Sequence, residues 1–180
     1  MASPKSCAIL GHNPMRFAWG FDEEAAECHD MKMELAQQIM VLRQQGVTHF
    51  SVACDYGVGL YAAEIINALR NDDSELMLFC ITPYEEQATK WTPALRERYF
   101  DMLIKCTHMT AVSLHKQPDA QLEAYRAIIR QALVERYPRE KFQLATKNAA
   151  WINCKTREEA TAQFDTSLKQ TGAGYFDFYL

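Results

Sequence analysis

Residues 7–20, CAILGHNPMRFAWG, decide the fold, because a short apolar run ends there abruptly in a Gly-His-Asn-Pro turn. The run from Cys7 to Leu10 fits a buried strand, and Gly11 permits a tight turn whose backbone amides approach a ligand. In open α/β domains, a first strand delivers a polar loop of this kind to the sheet edge where a binding crevice forms. We therefore expect this stretch to open an α/β sheet.

Downstream of this loop, the chain repeats the order strand, loop, helix. Apolar residues with helical spacing alternate with β-rich or continuous apolar runs. The predicted strands lie at residues 7–10, 47–54, 76–81 and 109–114, and the predicted helices at about 27–46, 60–69, 93–105 and 119–133. This alternation predicts an α/β fold, namely a three-layer, Rossmann-like open and mainly parallel sheet with helices on both faces.

The last third of the chain has a different character. The segments FQLAT at 142–146 and YFDFYL at 175–180 are predicted as a fifth and a sixth strand. Between them, a Thr-Arg-Glu-Glu capping-box pattern at Thr156 predicts a helix to Gln170. We expect a C-terminal β-α-β extension that packs on the same sheet or extends it. Because the chain stops at the apolar Leu180 with no helix to cover the last strand, we expect a truncated domain.

The composition excludes several classes of function. A formal net charge of -4 argues against a surface for nucleic acid or for an anionic membrane. No apolar run approaches the roughly 20 residues that span a bilayer, and the N-terminus lacks the apolar core of a secretory signal, so we expect a cytoplasmic protein. The six cysteines are scattered without a CxxC pair, which favours buried thiols over a metal site, and we expect no cofactor.

Polar residues follow the predicted strands, and in a parallel sheet these loops all emerge at the carboxyl edge. The candidate ligand-binding residues are Gly11, His12, Asn13, Asp55, Tyr56, Gly57, Pro83, Glu85, Gln87 and Ser113. Helix N-termini after the loops supply free amides and partial positive charge, which favours a phosphate-bearing ligand. Arg16, Arg96 and Arg98 are candidates for charge-assisted contacts with it.

Several of these side chains allow a second interpretation. His12 either contacts the ligand or satisfies its own turn. Asp55 and Glu64 either orient a ribose hydroxyl or a water, or they cap a helix and face solvent. Trp91 with Tyr99 either stacks on a base or closes the core, and the core is favoured. The sequence contains no dinucleotide fingerprint, no P-loop and no established catalytic signature.

The first 132 residues also carry a series of family motifs. In order, these are CAILGHNP and RFAWGFDEE, GVTHF at 46–50, YGVGLYAAEI at 56–65, ITPYEEQATKW at 81–91 and RERYF at 96–100. Over residues 7–132 the chain resembles the YpsA-like branch of the SLOG superfamily of Rossmann-like proteins. The resemblance implies binding of a nucleotide or a nucleotide derivative. The chain departs from the family pattern at Val52-Ala53, where Ser-Gly is usual, and at Gly59, where Asp is common.

Residues 127–180 carry different motifs, ALVERYPREKFQLATK and CKTREEATAQFDTSLKQTGAGYFDFYL. This part resembles a fragment of an aldo-keto reductase, and the resemblance implies that Lys147 corresponds to the lysine of a catalytic Asp-Tyr-Lys-His set. The other three members have no counterpart in the chain, so we expect no hydride transfer. The two resemblances predict a seam near residues 126–133, a SLOG-like domain at 1–132 and a reductase-like fragment at 133–180.

Together these observations predict a protein that binds a nucleotide or a nucleotide derivative in a sensing or signalling role. One alternative is a nucleotide hydrolase of the LOG type, although the PGGxGT loop of those enzymes is absent. Another is a fused or truncated reductase fragment without activity. Whether the chain is an enzyme stays open, as does homo-oligomerisation. The expected partner is a nucleotide-type small molecule, with neither nucleic acid nor membrane as a partner.

Overall fold

Four parallel strands form the central sheet of the computed structural model, which describes residues 5–138, 145–146, 155–175 and 178–179. In the sheet order the strands are β1 (Lys5–Ile9), β2 (Val47–Ala53), β3 (Met77–Tyr84) and β4 (His108–Ser113). The linking helices are α1 (Ala26–Gln44), α2 (Val58–Leu69) and α3 (Pro93–Lys105). Every predicted strand and helix of this region is present, because each has a local apolar pattern of its own.

Helices cover both faces of this sheet, so the predicted three-layer arrangement is confirmed. Residues of α1, α2 and α3 share one core with Val52 of β2 and Cys80 of β3. The next residues along these strands, Ala53 and Ile81, point to the opposite face and pack against a fourth helix, α4 (Ala120–Ile129). Successive strand residues alternate between faces, and this alternation divides the apolar side chains between two cores.

The fourth helix carries the chain back to β1. It continues into a π-helical turn, Arg130–Val134, where the sequence predicted an uninterrupted helix. Beyond that turn, the Tyr137 hydroxyl accepts a hydrogen bond from the Ser6 amide at 2.7 Å, and the Ser6 hydroxyl donates to the carbonyl of Ala132. The chain therefore runs from β1 to β4 with its linking helices on one face of the sheet, and it returns to β1 on the other face. In open α/β sheets, ligands bind outside the carboxyl ends of the strands.

Most strand boundaries differ from the prediction by one or two residues, and the largest difference is at the end of β3. The third strand runs through Pro83 to Tyr84, whereas the sequence placed its end at Ile81. Proline lacks an amide donor, but the pairs Thr82–Ala111 and Tyr84–Ser113 maintain the ladder on both sides of it.

The C-terminal part forms the expected β-α-β unit from β5 (Ala145–Thr146), α5 (Arg157–Thr171) and β6 (Phe178–Tyr179). Within the described residues, β5 and β6 pair in parallel with each other and not with the four-stranded sheet. Strands joined by a single crossover readily pair with each other, which explains why Ala145–Thr146 pairs with β6. Instead, α5 packs on α4, and the Gln170 amide donates to Glu123 at 2.5 Å. No helix in the described part of the chain has the length and apolar character needed to cross a membrane.

Candidate functional site

The loops after β1 and β2 touch each other at the carboxyl edge of the sheet. Gly57 has a φ of 117°, and a Cβ atom there would lie 2.5 Å from the backbone oxygen of His12. The Val58 amide donates a hydrogen bond to that same oxygen at 3.2 Å. A Cβ atom on Gly11 would lie 2.4 Å from Cβ of Val58. In the structure, both glycines serve the packing of one loop on the other, whereas the sequence interpretation offered Gly11 and Gly57 as candidate ligand contacts.

This packing also occupies the N-terminus of α2. Backbone carbonyls of the two loops accept hydrogen bonds from three amides of its first turn. The pairs, given as donor and acceptor, are Val58 to His12, Leu60 to Asp55 and Tyr61 to Gly57. Two of the free amides that the sequence led us to expect, those of Val58 and Leu60, are therefore already bonded, whereas the Tyr61 bond is an ordinary helical one.

Asp55 follows β2 directly, and its side chain is held by α4, the helix that covers the other face of the sheet from α1, α2 and α3. Its Oδ2 atom accepts hydrogen bonds from the Tyr125 hydroxyl at 2.9 Å and from the Gln121 amide at 3.3 Å. Burial raises the pKa of this half-buried carboxyl to about 6. Sequence reasoning found Asp55 but missed its two partners, because α4 meets the edge of β2 only through the tertiary fold.

The loops after β3 and β4 are tied together in a similar way. The Ser113 hydroxyl donates to the carbonyl of Pro83 at 3.0 Å, and the Glu85 amide donates to the carbonyl of Ser113 at 3.2 Å. The buried Gln87 side chain donates to the carbonyl of Cys54 and so joins the third loop to the second. The fold thus brings together predicted site residues that follow neighbouring strands. Most of the polar groups described here bond to the backbone of a neighbouring loop.

Side chains at the tip of the first loop remain exposed. His12, Asn13 and Arg16 all face solvent. Asn13 additionally caps a short 3-10 helix, Pro14–Arg16, because its Oδ1 atom accepts from the Met15 amide at 3.0 Å. These three side chains are the polar groups of the first loop that a ligand in solvent can reach.

Beside the edge, Glu23 joins the segment that follows the first loop to α1, α3 and the loop after β2. Its carboxylate accepts from Arg98 at 2.7 Å, from Lys32 at 2.6 Å and from the Tyr56 hydroxyl at 3.0 Å. Burial alone would raise the pKa of Glu23, but the bonds from Arg98 and Lys32 outweigh it and lower the pKa to about 2. The sequence interpretation missed this residue, although Glu23 stands inside the RFAWGFDEE motif.

The same arginine pairs with Glu64 of α2. Arg98 donates from Nε to Oε1 at 2.8 Å and from Nη2 to Oε2 at 2.9 Å. The sequence offered both residues as ligand contacts, but the structure uses them in a charged cluster with Glu23. A bidentate pair of this kind fixes the orientation of both side chains.

Aromatic rings continue from this cluster toward solvent. Trp91 and Tyr99 meet edge to face with their centroids 5.2 Å apart, and Tyr99 lies in the core, in agreement with the favoured interpretation. Tyr56 stands 6.4 Å from Trp91 on one side and 5.9 Å from Phe21 on the other. Phe21, in the loop before α1, is exposed.

The described residues contain no group of three or more histidine, cysteine, aspartate or glutamate side chains placed to hold a metal ion. Lys147, the residue that carried the reductase comparison, lies outside the described part of the chain.

Comparison with known proteins gives a family match and several curated relatives. The model of the YspA SLOG family matches residues 7–137. A UPF0398 protein of Halalkalibacterium halodurans is 36% identical over 73 residues, which cover 41% of this chain and 39% of that protein. A UPF0398 protein of Bacillus cereus strain B4264 is 26% identical over 113 residues, covering 62% of this chain and 60% of that protein. The chain thus spans about 39% to 60% of the length of these relatives.

A solved structure of RcsB from Salmonella enterica bound to the promoter rprA aligns with a TM-score of 0.27 and 11% identity, over 77% of this chain and 72% of that one. A score this low supports no conclusion about the fold. The reductase resemblance of residues 127–180 receives no support from the comparisons. The family match also runs on to residue 137, past the seam predicted near 126–133.

Proposed function

The chain belongs to the YspA SLOG family, and from this premise we propose that it binds a nucleotide or a nucleotide derivative at the carboxyl edge of its sheet, in a sensing or signalling role. The observation that carries the proposal is the contact between the loops after β1 and β2 at the carboxyl edge of the sheet. This contact holds exposed polar side chains next to a half-buried carboxylate, as a ligand with both hydroxyl and phosphate groups requires.

Each end of such a ligand has a suitable partner at this edge. The Asp55 carboxylate accepts hydrogen bonds from ribose hydroxyls, and its orientation is already set by Tyr125. The phosphate end is assigned to the exposed side chains of His12, Asn13 and Arg16, because the Val58 and Leu60 amides at the start of α2 are engaged. A guanidinium contact with phosphate remains effective in a protein with a net charge of -4, since it depends on local charge.

A panel of ribonucleoside 5′-mono-, di- and triphosphates tests this proposal, with the thermal midpoint as a first readout and calorimetric titration as a second. We expect at least one nucleotide to stabilise the protein and His12→Ala to abolish the effect. His29→Ala is the matched control, because His29 is an exposed histidine on α1. If no nucleotide raises the midpoint, the proposed function is wrong.

One observation favours a second candidate, hydrolysis of the N-glycosidic bond of a nucleotide. The pKa of Asp55, about 6, suits a group that gives and takes a proton near neutral pH. Release of free base from the bound nucleotide would reveal this activity, and Asp55→Asn should abolish it. Asp165→Asn, an exposed change on α5, should leave it intact. Base release that persists in Asp55→Asn would remove Asp55 from the reaction.

A further inference from the structure

We propose that the exposed ring of Phe21 is the surface on which the base of the nucleotide stacks, an inference that rests on the proposed function and assigns a recognition role to the loop before α1. Phe21 is 63% exposed. Exposing an apolar ring of this size to water is unfavourable, so a ring held in this position suits a ligand that covers it.

The ring lies within the candidate site. Its centroid is 5.9 Å from that of Tyr56, and the two planes are inclined by 41°. Tyr56 belongs to the loop after β2, and the next residue, Gly57, packs on the backbone of His12. Phe21, Tyr56 and the first loop therefore form one continuous surface at the carboxyl edge.

The loop around Phe21 is anchored before any ligand arrives. Two residues further on, Glu23 is only 18% exposed on its side chain and accepts hydrogen bonds from Arg98, Lys32 and Tyr56. Two residues earlier, the Trp19 ring stacks on Phe17 with a centroid distance of 4.8 Å. An aromatic ring two residues from such an anchor loses less conformational entropy when a base stacks on it, which is what preorganisation provides.

The charged residues near Phe21 favour contact of its ring with the base of the nucleotide over contact with the phosphate. Asp22 and Glu24 flank this segment and are exposed, so a phosphate group is repelled from Phe21. Arg16 is exposed on the first loop, where the phosphate contacts are assigned. The same acidic flanks disfavour insertion of the ring into an anionic membrane. The uncharged base is therefore the part of the nucleotide that fits Phe21.

Calorimetric titration of the full chain with the tightest-binding nucleotide of the panel tests the inference. We expect Phe21→Ala to weaken binding at least about fivefold, as loss of a base–aromatic stack does elsewhere, and Phe21→Trp to retain binding. Phe100→Ala is the matched control, because Phe100 is 52% exposed on α3 and should leave affinity unchanged. Ribose 5-phosphate, which has no base, should bind the wild type and Phe21→Ala equally.

The possible outcomes separate the two proposals. If the nucleotide binds the wild type and Phe21→Ala with equal affinity, the stacking role is wrong while the proposed function stands. If Phe21→Ala weakens ribose 5-phosphate as much as the nucleotide, the residue supports the loop and does not stack, which also overturns the inference. If no nucleotide binds at all, both proposals fall. Unchanged thermal midpoints of the unliganded variants verify that each one folds.

Discussion

Asp55 shows at the scale of a single residue how burial links the candidate site to stability. Burial raises its pKa from 3.8 to about 6, so the folded state keeps the proton at pH values where the unfolded chain has released it. This residue's contribution to stability therefore falls as pH rises from about 4 to 6 and is constant above that range. We expect Asp55→Asn to be about 1–3 kcal/mol more stable than the wild type at pH 7.5 and equal to it at pH 4.

Urea unfolding of both proteins at the two pH values measures this difference. Asp165→Asn, on the exposed side of α5, should show no such pH dependence. An Asp55→Asn variant that is less stable at pH 7.5 would mean that the ionised carboxylate gains more from Tyr125 and Gln121 than it loses by burial. Reduced nucleotide binding by the stabilised variant would identify Asp55 as a residue kept for function at a cost in stability.

Gly57 allows a second prediction at this scale, because an alanine there would meet backbone and not a movable side chain. Its added Cβ would lie 2.5 Å from the His12 oxygen and 2.9 Å from Cα of Asn13, at a φ of 117°. We expect Gly57→Ala to lower the free energy of unfolding by about 2–4 kcal/mol and to weaken nucleotide binding.

Gly20→Ala is the control, because Gly20 also has a positive φ, 61°, but nothing lies within 4 Å of its added Cβ. We expect Gly20→Ala to lower the free energy of unfolding by about 1 kcal/mol. Chemical denaturation measures this free energy for both variants, and the difference between them isolates the contribution of the contact between the two loops. Equal costs would show that this contact contributes nothing beyond the backbone conformation.

At the scale of elements, α5 depends on the capping box that its sequence predicts. Thr156 Oγ1 accepts from the Glu159 amide at 3.2 Å, and Glu159 Oε2 accepts from the Thr156 amide at 3.3 Å. We expect Thr156→Ala to cost about 1 kcal/mol and to speed amide hydrogen exchange in the first turn of α5. Thr166→Ala, an exposed change in the middle of the same helix, should be neutral or slightly stabilising. A similar effect of both variants would contradict a role for the cap.

The elements also show which local signals are sufficient. The sequence predicted β3 from the continuous apolar run at 76–81, and it predicted α3 from the proline at its start, Pro93. Both predictions work because strand burial and helix initiation depend on residues that are neighbours in the sequence. The π-helical turn at Arg130 and the pairing of β5 with β6 were not predicted. Both depend on where a segment docks, and the residues on which it docks lie far away in the sequence.

At the scale of the whole molecule, the boundary predicted after residue 132 cuts off contacts that hold the segment after α4 to β1 and β3. Tyr137 accepts from the Ser6 amide, and the Arg136 guanidinium lies 5.8 Å from the ring centroid of Phe79. We expect a chain ending at residue 138 to unfold cooperatively and to be about 1–2 kcal/mol more stable than one ending at residue 132. Equal stabilities in urea would support the boundary at 132.

Tyr137→Phe in the full chain is the companion variant, because it removes only the hydroxyl that meets Ser6. We expect Tyr137→Phe to lower the free energy of unfolding by about 1 kcal/mol, the usual contribution of one intramolecular hydrogen bond. If truncation at residue 132 lowers the free energy of unfolding more than Tyr137→Phe does, the additional loss comes from the packing of residues 133–138.

By itself, the sequence determined the succession of strands and helices, the parallel α/β class and the family, because apolar periodicity and turn residues act over short stretches. Only the tertiary structure decided how the candidate site is built. It packed Gly57 on His12, placed Tyr125 on Asp55 and joined Glu23 to Arg98. These partners are far apart in the chain, and they meet because α4 crosses one face of the sheet while α1, α2 and α3 cover the other. No local pattern encodes that crossing.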